Sequence, residues 1–327
     1  MITMDLIAIV VGIHFFVFGI WVEGQGLPYN FYEKSCPQVE AIVRAAIQPI
    51  FLTDPTSPAA FLRLMFHDCQ VQGCDASILV DPNANNVPSE MAAGKNFGIR
   101  KRESINILKS MVELQCPQQV SCADILILAA REAVVVSGGP QIEVALGRRD
   151  SPFAPSYKHA DSLLPSATTG VDGMLQLFAK KEMTVEESVA IMGAHTLGVT
   201  HCLNILNRLN QADEGGQVQG MAPGFESFLR LNCPQGSLAS NASFVLNDPT
   251  TLTFDNHYYK NAIRGLGVLR VDAEMIMDPR TAMAVERFAA NQDDFFQAFS
   301  SAFVKLSNSG VLTGNQGVVR KNCNALD

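Results

Sequence analysis

Eight cysteines constrain this chain more than any other feature. They stand at Cys36, Cys69, Cys74, Cys116, Cys122, Cys202, Cys233 and Cys323, spread over nearly the whole length. An even set of this size points to a disulfide framework, made where disulfides form and persist. No CxxC occurs, which weakens a structural zinc reading. Spacing alone leaves the pairing open. The N-terminus agrees with the secretory route. Leu6 to Trp21 is an apolar run with His14 as its only strongly polar residue, and the polar stretch Glu23-Gly24-Gln25-Gly26 follows. The run is short for a membrane span, which counts against an uncleaved anchor helix. We read residues 1–24 as a signal peptide, although a positive n-region is missing and Asp5 is acidic. Small residues at Val22 and Gly24 suit cleavage after Gly24, which removes Trp21, the only tryptophan. Asp5 and Glu23 leave as well, without a Lys or Arg, so the net charge of −8 becomes −6.

The remaining residues, 25–327, can bury a large core as one large domain or two smaller ones. Charged residues make up 17% and hydrophobic ones 47%, a balance that excludes a mainly disordered chain. The acidic net charge and scattered Lys and Arg argue against nucleic acid and against a polybasic membrane anchor. Asn241-Ala242-Ser243 is a glycosylation sequon.

The elements read as mostly helical. Ser35-Cys36-Pro37 starts a helix striped by Val39, Ile42, Val43, Ala46, Ile47 and Ile50. A second runs from near Ser57 into His67, Asp81 to Lys95 is a loop, and Glu103 to Leu114 is helical again. Cys122 to Val136 is apolar nearly all round, the mark of a central buried helix. Its Asp124 needs a partner there, and Arg148 is the candidate. Ser151 to Ala167 reads as a loop, Gly170 to Lys181 and Val185 to Leu209 as helices, and Gln211 to Pro223 as a polar connection. Helices near Asn256–Arg264, Thr281–Asn291 and Asp293–Ser307 follow, and Ile142 to Ala145 is the best strand candidate.

Two constellations carry chemistry. In Arg63 to Ser77, RLMFHDCQVQGCDAS, the four-residue spacing puts Arg63 and His67 on one helix face, a base beside a fixed cation. Asp68, Asp75 and Ser77 then offer the oxygens that a hard cation such as calcium takes. Gly193 to Gly198, GAHTLG, places His195 in the middle of an amphipathic helix, where glycine packing and a core histidine would explain it equally well.

The first constellation resembles the distal segment of secreted plant-type (class III) haem peroxidases. The resemblance covers nearly all the mature chain, from Asn30-Phe31-Tyr32 and Ser35-Cys36-Pro37 to Asn322-Cys323. RLMFHDC, GCDAS, VSCADIL, SGGP, LGRRDS, GAHTLG, FDNHYY and LTGNQG lie between in the family's order. It implies a mostly α fold with distal and proximal helical halves enclosing haem, with minor β. It also implies the bridges Cys36–Cys116, Cys69–Cys74, Cys122–Cys323 and Cys202–Cys233.

By that resemblance His67 is the acid–base catalyst, Arg63 the cation beside the peroxide, and Phe66 the ring packed over the haem. Asn96 fixes the His67 tautomer, His195 is the axial ligand of one haem b, and Asp272 accepts its other N–H. Pro165 lines the mouth where phenols dock. Two calcium ions are implied. The distal one takes Asp68, the Val71 and Gly73 carbonyls, Asp75, Ser77 and Glu90; the proximal one takes Thr196, Asp248, Thr251 and Asp255. The segment from Asp248 to Asp255 is one residue short of the family pattern, so Asn247 competes with Asp248 and Thr250 with Thr251. Gln70, Ile142 and Lys101-Arg102-Glu103 also depart from the usual residues without removing a catalytic group.

The implied activity is reduction of hydrogen peroxide to water with one-electron oxidation of phenolic donors through a ferryl intermediate. The expected protein is a monomer, secreted to the extracellular space, cell wall or vacuole. Two rivals remain at this stage. One is a haem- and calcium-binding wall protein of the same fold without turnover; the other is a calcium-stabilised binding module without haem.

Overall fold

The computed structural model describes residues 26–82, 89–153, 156–211, 218–234 and 243–326. The expected signal segment, the Asn241 sequon residue and residues 212–217 of the Gln211–Pro223 connection lie outside these. Thirteen α-helices occur among the described residues: α1 Val39–Thr53, α2 Ser57–Gln70, α3 Arg102–Gln115, α4 Cys122–Val136, α5 Tyr157–Leu163, α6 Val171–Ala179, α7 Val185–Met192, α8 Leu206–Leu209, α9 Pro223–Asn232, α10 His257–Ile263, α11 Arg270–Glu274, α12 Ala282–Ala290 and α13 Gln292–Ser307. Two short strands, β1 Val199–His201 and β2 Phe244–Leu246, form one antiparallel pair with Thr200 opposite Val245. None of these helices is long and apolar enough to cross a membrane.

The apolar helix α4 is the axis of the first half. Every residue from Cys122 to Val134 is buried, and α2 lies along it with α1 and α3 alongside. Asp124 is tolerated there because it is saturated with donors. Arg148 Nη1 sits 2.9 Å away with both side chains fully buried, and Tyr32 Oη and the Gly147 N–H each donate at 2.7 Å. Removing one member of such a pair costs on the order of 3–5 kcal/mol, because the other charge stays buried. Arg148 also donates to Ser307 O at 2.7 Å, tying α4 to the end of α13. In the second half, α13 packs on α7 and α12 on α10 around Phe254, Tyr259, Phe288, Phe295 and Phe299.

Four bridges staple these layers: Cys36–Cys116, Cys69–Cys74, Cys122–Cys323 and Cys202–Cys233. They are the pairs that the resemblance implies. The third carries the tail back to the start of α4. There Asp150 accepts the Cys122 and Ala123 N–H groups at 3.1 and 2.9 Å and the Arg320 N–H at 2.9 Å.

Three expectations need correction. The stretch Val185 to Leu209 is not one helix: α7 ends at Met192, a 3-10 turn spans Gly193–Thr196, and β1 follows. Gly198 has φ +84°, outside the right-handed helical region, and its N–H goes to Thr251 O at 2.8 Å. Ile142 to Ala145 forms no strand; short bridges occur instead at Arg149–Leu312 and Asp150–Val318. The supposed loop Ser151 to Ala167 contains α5, whose first turn is capped by the Ser156 hydroxyl.

Candidate active site

The C-terminal half of α2 carries Arg63, Phe66 and His67, with His67 in the last turn. His67 is buried, and its Nδ1 lies 2.7 Å from Asn96 Oδ1. Arg63 Nε donates to His67 Nε2 at 3.2 Å, and Arg63 Nη2 donates to Phe97 O at 3.0 Å. An amide oxygen only accepts and a guanidinium only donates, so these contacts select one tautomer: hydrogen on Nδ1, lone pair on Nε2. Burial first, then the Arg63 charge, pushes the His67 imidazole down to about 3, with Asn96 acting in the opposite sense. Burial also lowers Arg63 to about 10, which leaves it cationic at neutral pH. The site therefore holds a neutral base beside a fixed cation. Phe66 stands edge-on to His67 with ring centroids 5.7 Å apart.

Asn96 sits in a 3-10 turn, Gly94–Asn96, and its Nδ2 donates to Glu90 O at 2.8 Å. Lys95 fastens this turn to α5 and the residues after it, with Nζ donating to Leu164 O at 2.6 Å. Pro165, half-buried, follows directly. Gln70, one of the departures from the family pattern, donates to Leu163 O at 3.1 Å and so braces the same segment.

His195 stands on the 3-10 turn after α7, not in mid-helix as expected. Gly193 is required at the start of this turn, since a Cβ there would lie 2.4 Å from Phe295 Cε2 and 2.6 Å from Tyr259 Oη. The turn packs towards α2, with a Cβ on Gly198 falling 2.8 Å from Ala59 Cβ. His195 Nδ1 lies 3.0 Å from Asp272 Oδ1, while the imidazole keeps a third of its side chain (35%) exposed and its Asp272 partner is buried. Burial opposes the Asp272 charge. His195, the Tyr258 hydroxyl at 2.7 Å and the Leu269 N–H at 2.9 Å outweigh that and hold its carboxyl below the usual range. An open imidazole backed by a buried carboxylate suits a haem iron ligand, because the acceptor orients the ring and raises its basicity.

Asp68, Ser77 and Glu90 are buried and Asp75 is nearly so. Asp68 Oδ2 accepts the Ala76 N–H at 3.0 Å, but Asp68 Oδ1 and Glu90 Oε2 have no hydrogen-bond partner. Burial raises all three carboxyls, and repulsion from neighbouring carboxylates adds to it at Asp68 and at Glu90, which rises to about 7. Orphaned buried carboxylate oxygens are what a hard cation satisfies. No three His, Cys, Asp or Glu side chains among the described residues suffice for a metal on their own, so main-chain and hydroxyl oxygens must complete the set. Gly73 permits that: at φ +136° its backbone lies against Gly310, where a Cβ would meet Gly310 O at 1.9 Å. Arg320, fully buried, donates to Ala76 O at 2.6 Å, and its charge draws Asp75 down against the effect of burial.

Thr196 brings the second acidic pair beneath the His195 turn. Its hydroxyl lies 2.7 Å from Asp248 Oδ2 and 3.3 Å from Asp255 Oδ1. Thr250 Oγ1 reaches both carboxylates at 3.1 Å, whereas the Thr251 hydroxyl bonds Gly198 O. Asn247 is engaged by Thr200 Oγ1 at 2.7 Å and by Leu197 O at 3.0 Å. Burial, with Asp255 nearby, raises Asp248. Two residues of these sites escaped the sequence reading. Tyr258 lies in FDNHYY, where nothing distinguishes it from Tyr259, and Arg320 follows an apolar pair with no pattern of its own.

A family model described as Peroxidase matches residues 40–291. Among curated proteins, the chain is 57% identical over 308 residues to "Peroxidase 29" of Arabidopsis thaliana, covering 93% of this chain and 90% of that protein. It is 40% identical over 304 residues to "Peroxidase 28" of the same plant, covering 92% and 93%. It is 38% identical over 303 residues to "Peroxidase 12", covering 92% and 83%.

Proposed function

We propose, from the premise that this chain belongs to the plant-type peroxidase family, that it is a secreted enzyme reducing hydrogen peroxide to water at the expense of small phenolic donors. Haem and calcium binding are general to that family, and the assignment of one haem b and two calcium ions to named residues is our own. His195, through Nε2, would hold the haem iron, with Asp272 behind it. Asp68, Asp75, Ser77, Glu90 and the Val71 and Gly73 carbonyls would hold the distal calcium. Thr196, Asp248 and Asp255, with Thr251 or Thr250, would hold the proximal one. When bound, haem supplies the redox chemistry of peroxide cleavage and of the two one-electron oxidations that follow.

The chain's own residues supply proton movement and charge. His67 Nε2, neutral and turned from Nδ1 by Asn96, takes a proton from the inner oxygen of the peroxide. It returns that proton to the outer oxygen as water leaves, acting first as base and then as acid. Arg63 lies within hydrogen-bond reach of Nε2, so its guanidinium also faces the charge that develops as the O–O bond breaks. Pro165, joined through Leu164 O to Lys95, fits a rim where a phenol would dock.

The observation that carries this reading is the single tautomer imposed on His67 from both ring nitrogens. It also disfavours the non-catalytic wall protein, since a retired site has no need of an intact Arg63–His67–Asn96 set. His67→Leu should retain the haem spectrum and slow the reaction with peroxide by about 10²–10⁴-fold or more. An unchanged rate in stopped flow would refute the assignment. The secreted form should begin at Gln25 and lack tryptophan emission, which N-terminal sequencing and fluorescence check.

A further inference from the structure

Asp272 does not serve His195 alone. Its Oδ1 accepts from His195 Nδ1 at 3.0 Å and, more closely, from Tyr258 Oη at 2.7 Å. Its Oδ2 is occupied by the Leu269 N–H at 2.9 Å. Two donors on one oxygen compete for the same electron density, and a phenol is the stronger donor of the two. The tyrosine is held in place by packing and not by this hydrogen bond alone: it is buried, edge-on to Tyr259 at 4.9 Å and to His195 at 6.0 Å. Its neighbour has a different task, since the Tyr259 hydroxyl goes to the α7 carbonyls of Val189 and Ala190 at 3.0 and 3.2 Å.

We propose that Tyr258 is a positioning residue that limits the electron donation of His195 by sharing Asp272 Oδ1. This rests on the reading of His195 as the iron ligand. A carboxylate facing only His195 would pull harder on its N–H, give the ring more imidazolate character and favour ferric over ferrous iron. With the phenol attached, the pull is divided. Tyr258 thereby sets how strongly the ligand pushes electron density towards iron, without touching iron or substrate.

The test uses the holoprotein. Tyr258→Phe keeps the ring and removes only the donor. In the ferrous form its iron–histidine stretching band should move to higher frequency, and the ferric/ferrous equilibrium should shift about tenfold towards ferric, about 59 mV for one electron. Tyr259→Phe is the control and should leave both readings at the wild-type values. A Tyr258→Phe holoprotein with an unmoved band and a potential within about twofold of wild type would overturn the proposal, as would an equal shift in both variants. Absence of an iron–histidine band in the wild type would instead remove His195 as ligand, so the two failures are distinguishable.

Discussion

Replacing Asn96 by alanine isolates the tautomer from the rest of the site. Asn96 is fully buried and holds His67 Nδ1 at 2.7 Å, so truncation removes the acceptor that pins the proton to that nitrogen. A net hydrogen bond of about 1–1.5 kcal/mol then ceases to favour the tautomer with Nε2 free, roughly a tenfold shift in the tautomer ratio, which sets the upper bound on the loss of competent base. The same bond raises the basicity of His67 against burial and Arg63, so its loss also weakens the base that remains. Together these predict a reaction with peroxide slower by about 10–10²-fold, smaller than the effect of losing the imidazole itself. The Glu90 carbonyl also loses one of its two donors but keeps the Ala93 N–H at 2.9 Å, which should cost about 0.5–1.5 kcal/mol of stability. Stopped-flow kinetics of the holoprotein with peroxide, across pH, is the assay. Asn96→Asp keeps an acceptor and adds a charge that stabilises the imidazolium. It should recover most of the rate at neutral pH while its acidic limb moves to higher pH. Alanine within about twofold of wild type, or aspartate as impaired as alanine, would refute the reasoning.

Other outcomes follow from the same geometry. Since burial and Arg63 hold His67 down to about 3, the peroxide step should be independent of pH from neutrality well into the acid range. It should fall only as Nε2 protonates near that value, and a limb near the ordinary histidine value of about 6.5 would contradict it. Thr250→Val should release the proximal calcium under milder chelation than Thr251→Val, because Thr250 Oγ1 lies 3.1 Å from both Asp248 and Asp255. Metal stoichiometry during graded chelation distinguishes them. Gly193→Ala should destabilise the fold by about 1–3 kcal/mol through overpacking, read as a lowered melting temperature. The added methyl has no room beside Phe295 and Tyr259.

How much was legible in the sequence depended on whether the controlling forces were local. The helix Cys122–Val136 could be read to the residue, because burial on all sides demands apolar residues on all sides and Ser121 caps its start. Asp124 and Arg148 could be paired for the same reason: a charge in that setting needs an opposite charge. The i,i+4 spacing of Arg63 and His67 was similarly local. The roles of Asn96, His195 and Asp272 came from resemblance, since these partners meet only across the fold. The break after Met192 escaped because GAHTLG suits a helix, while the turn depends on Gly198 meeting Thr251 far along the chain. Ile142 to Ala145 has strand composition, but among the described residues no neighbouring segment completes a ladder there. Adjacent tyrosines at 258 and 259 face different partners, which composition cannot assign.

The tail sets a schedule for the catalytic half. The carbonyl of Ala76, in the loop proposed for the distal cation, is held by Arg320, which is synthesised 244 residues later. The N-terminal end of α4 waits similarly for Cys323, 201 residues on. At about 5–20 residues per second, the loop behind His67 spends roughly 10–50 s without its last brace while the rest of the chain is made. Its carboxylates repel one another during that interval, with the guanidinium that offsets them still unmade. Assembly of a site laid down near the beginning is thus completed by the last residues to emerge, and a chain cut just before Arg320 carries every proposed catalytic residue without the means to finish the loop beside them.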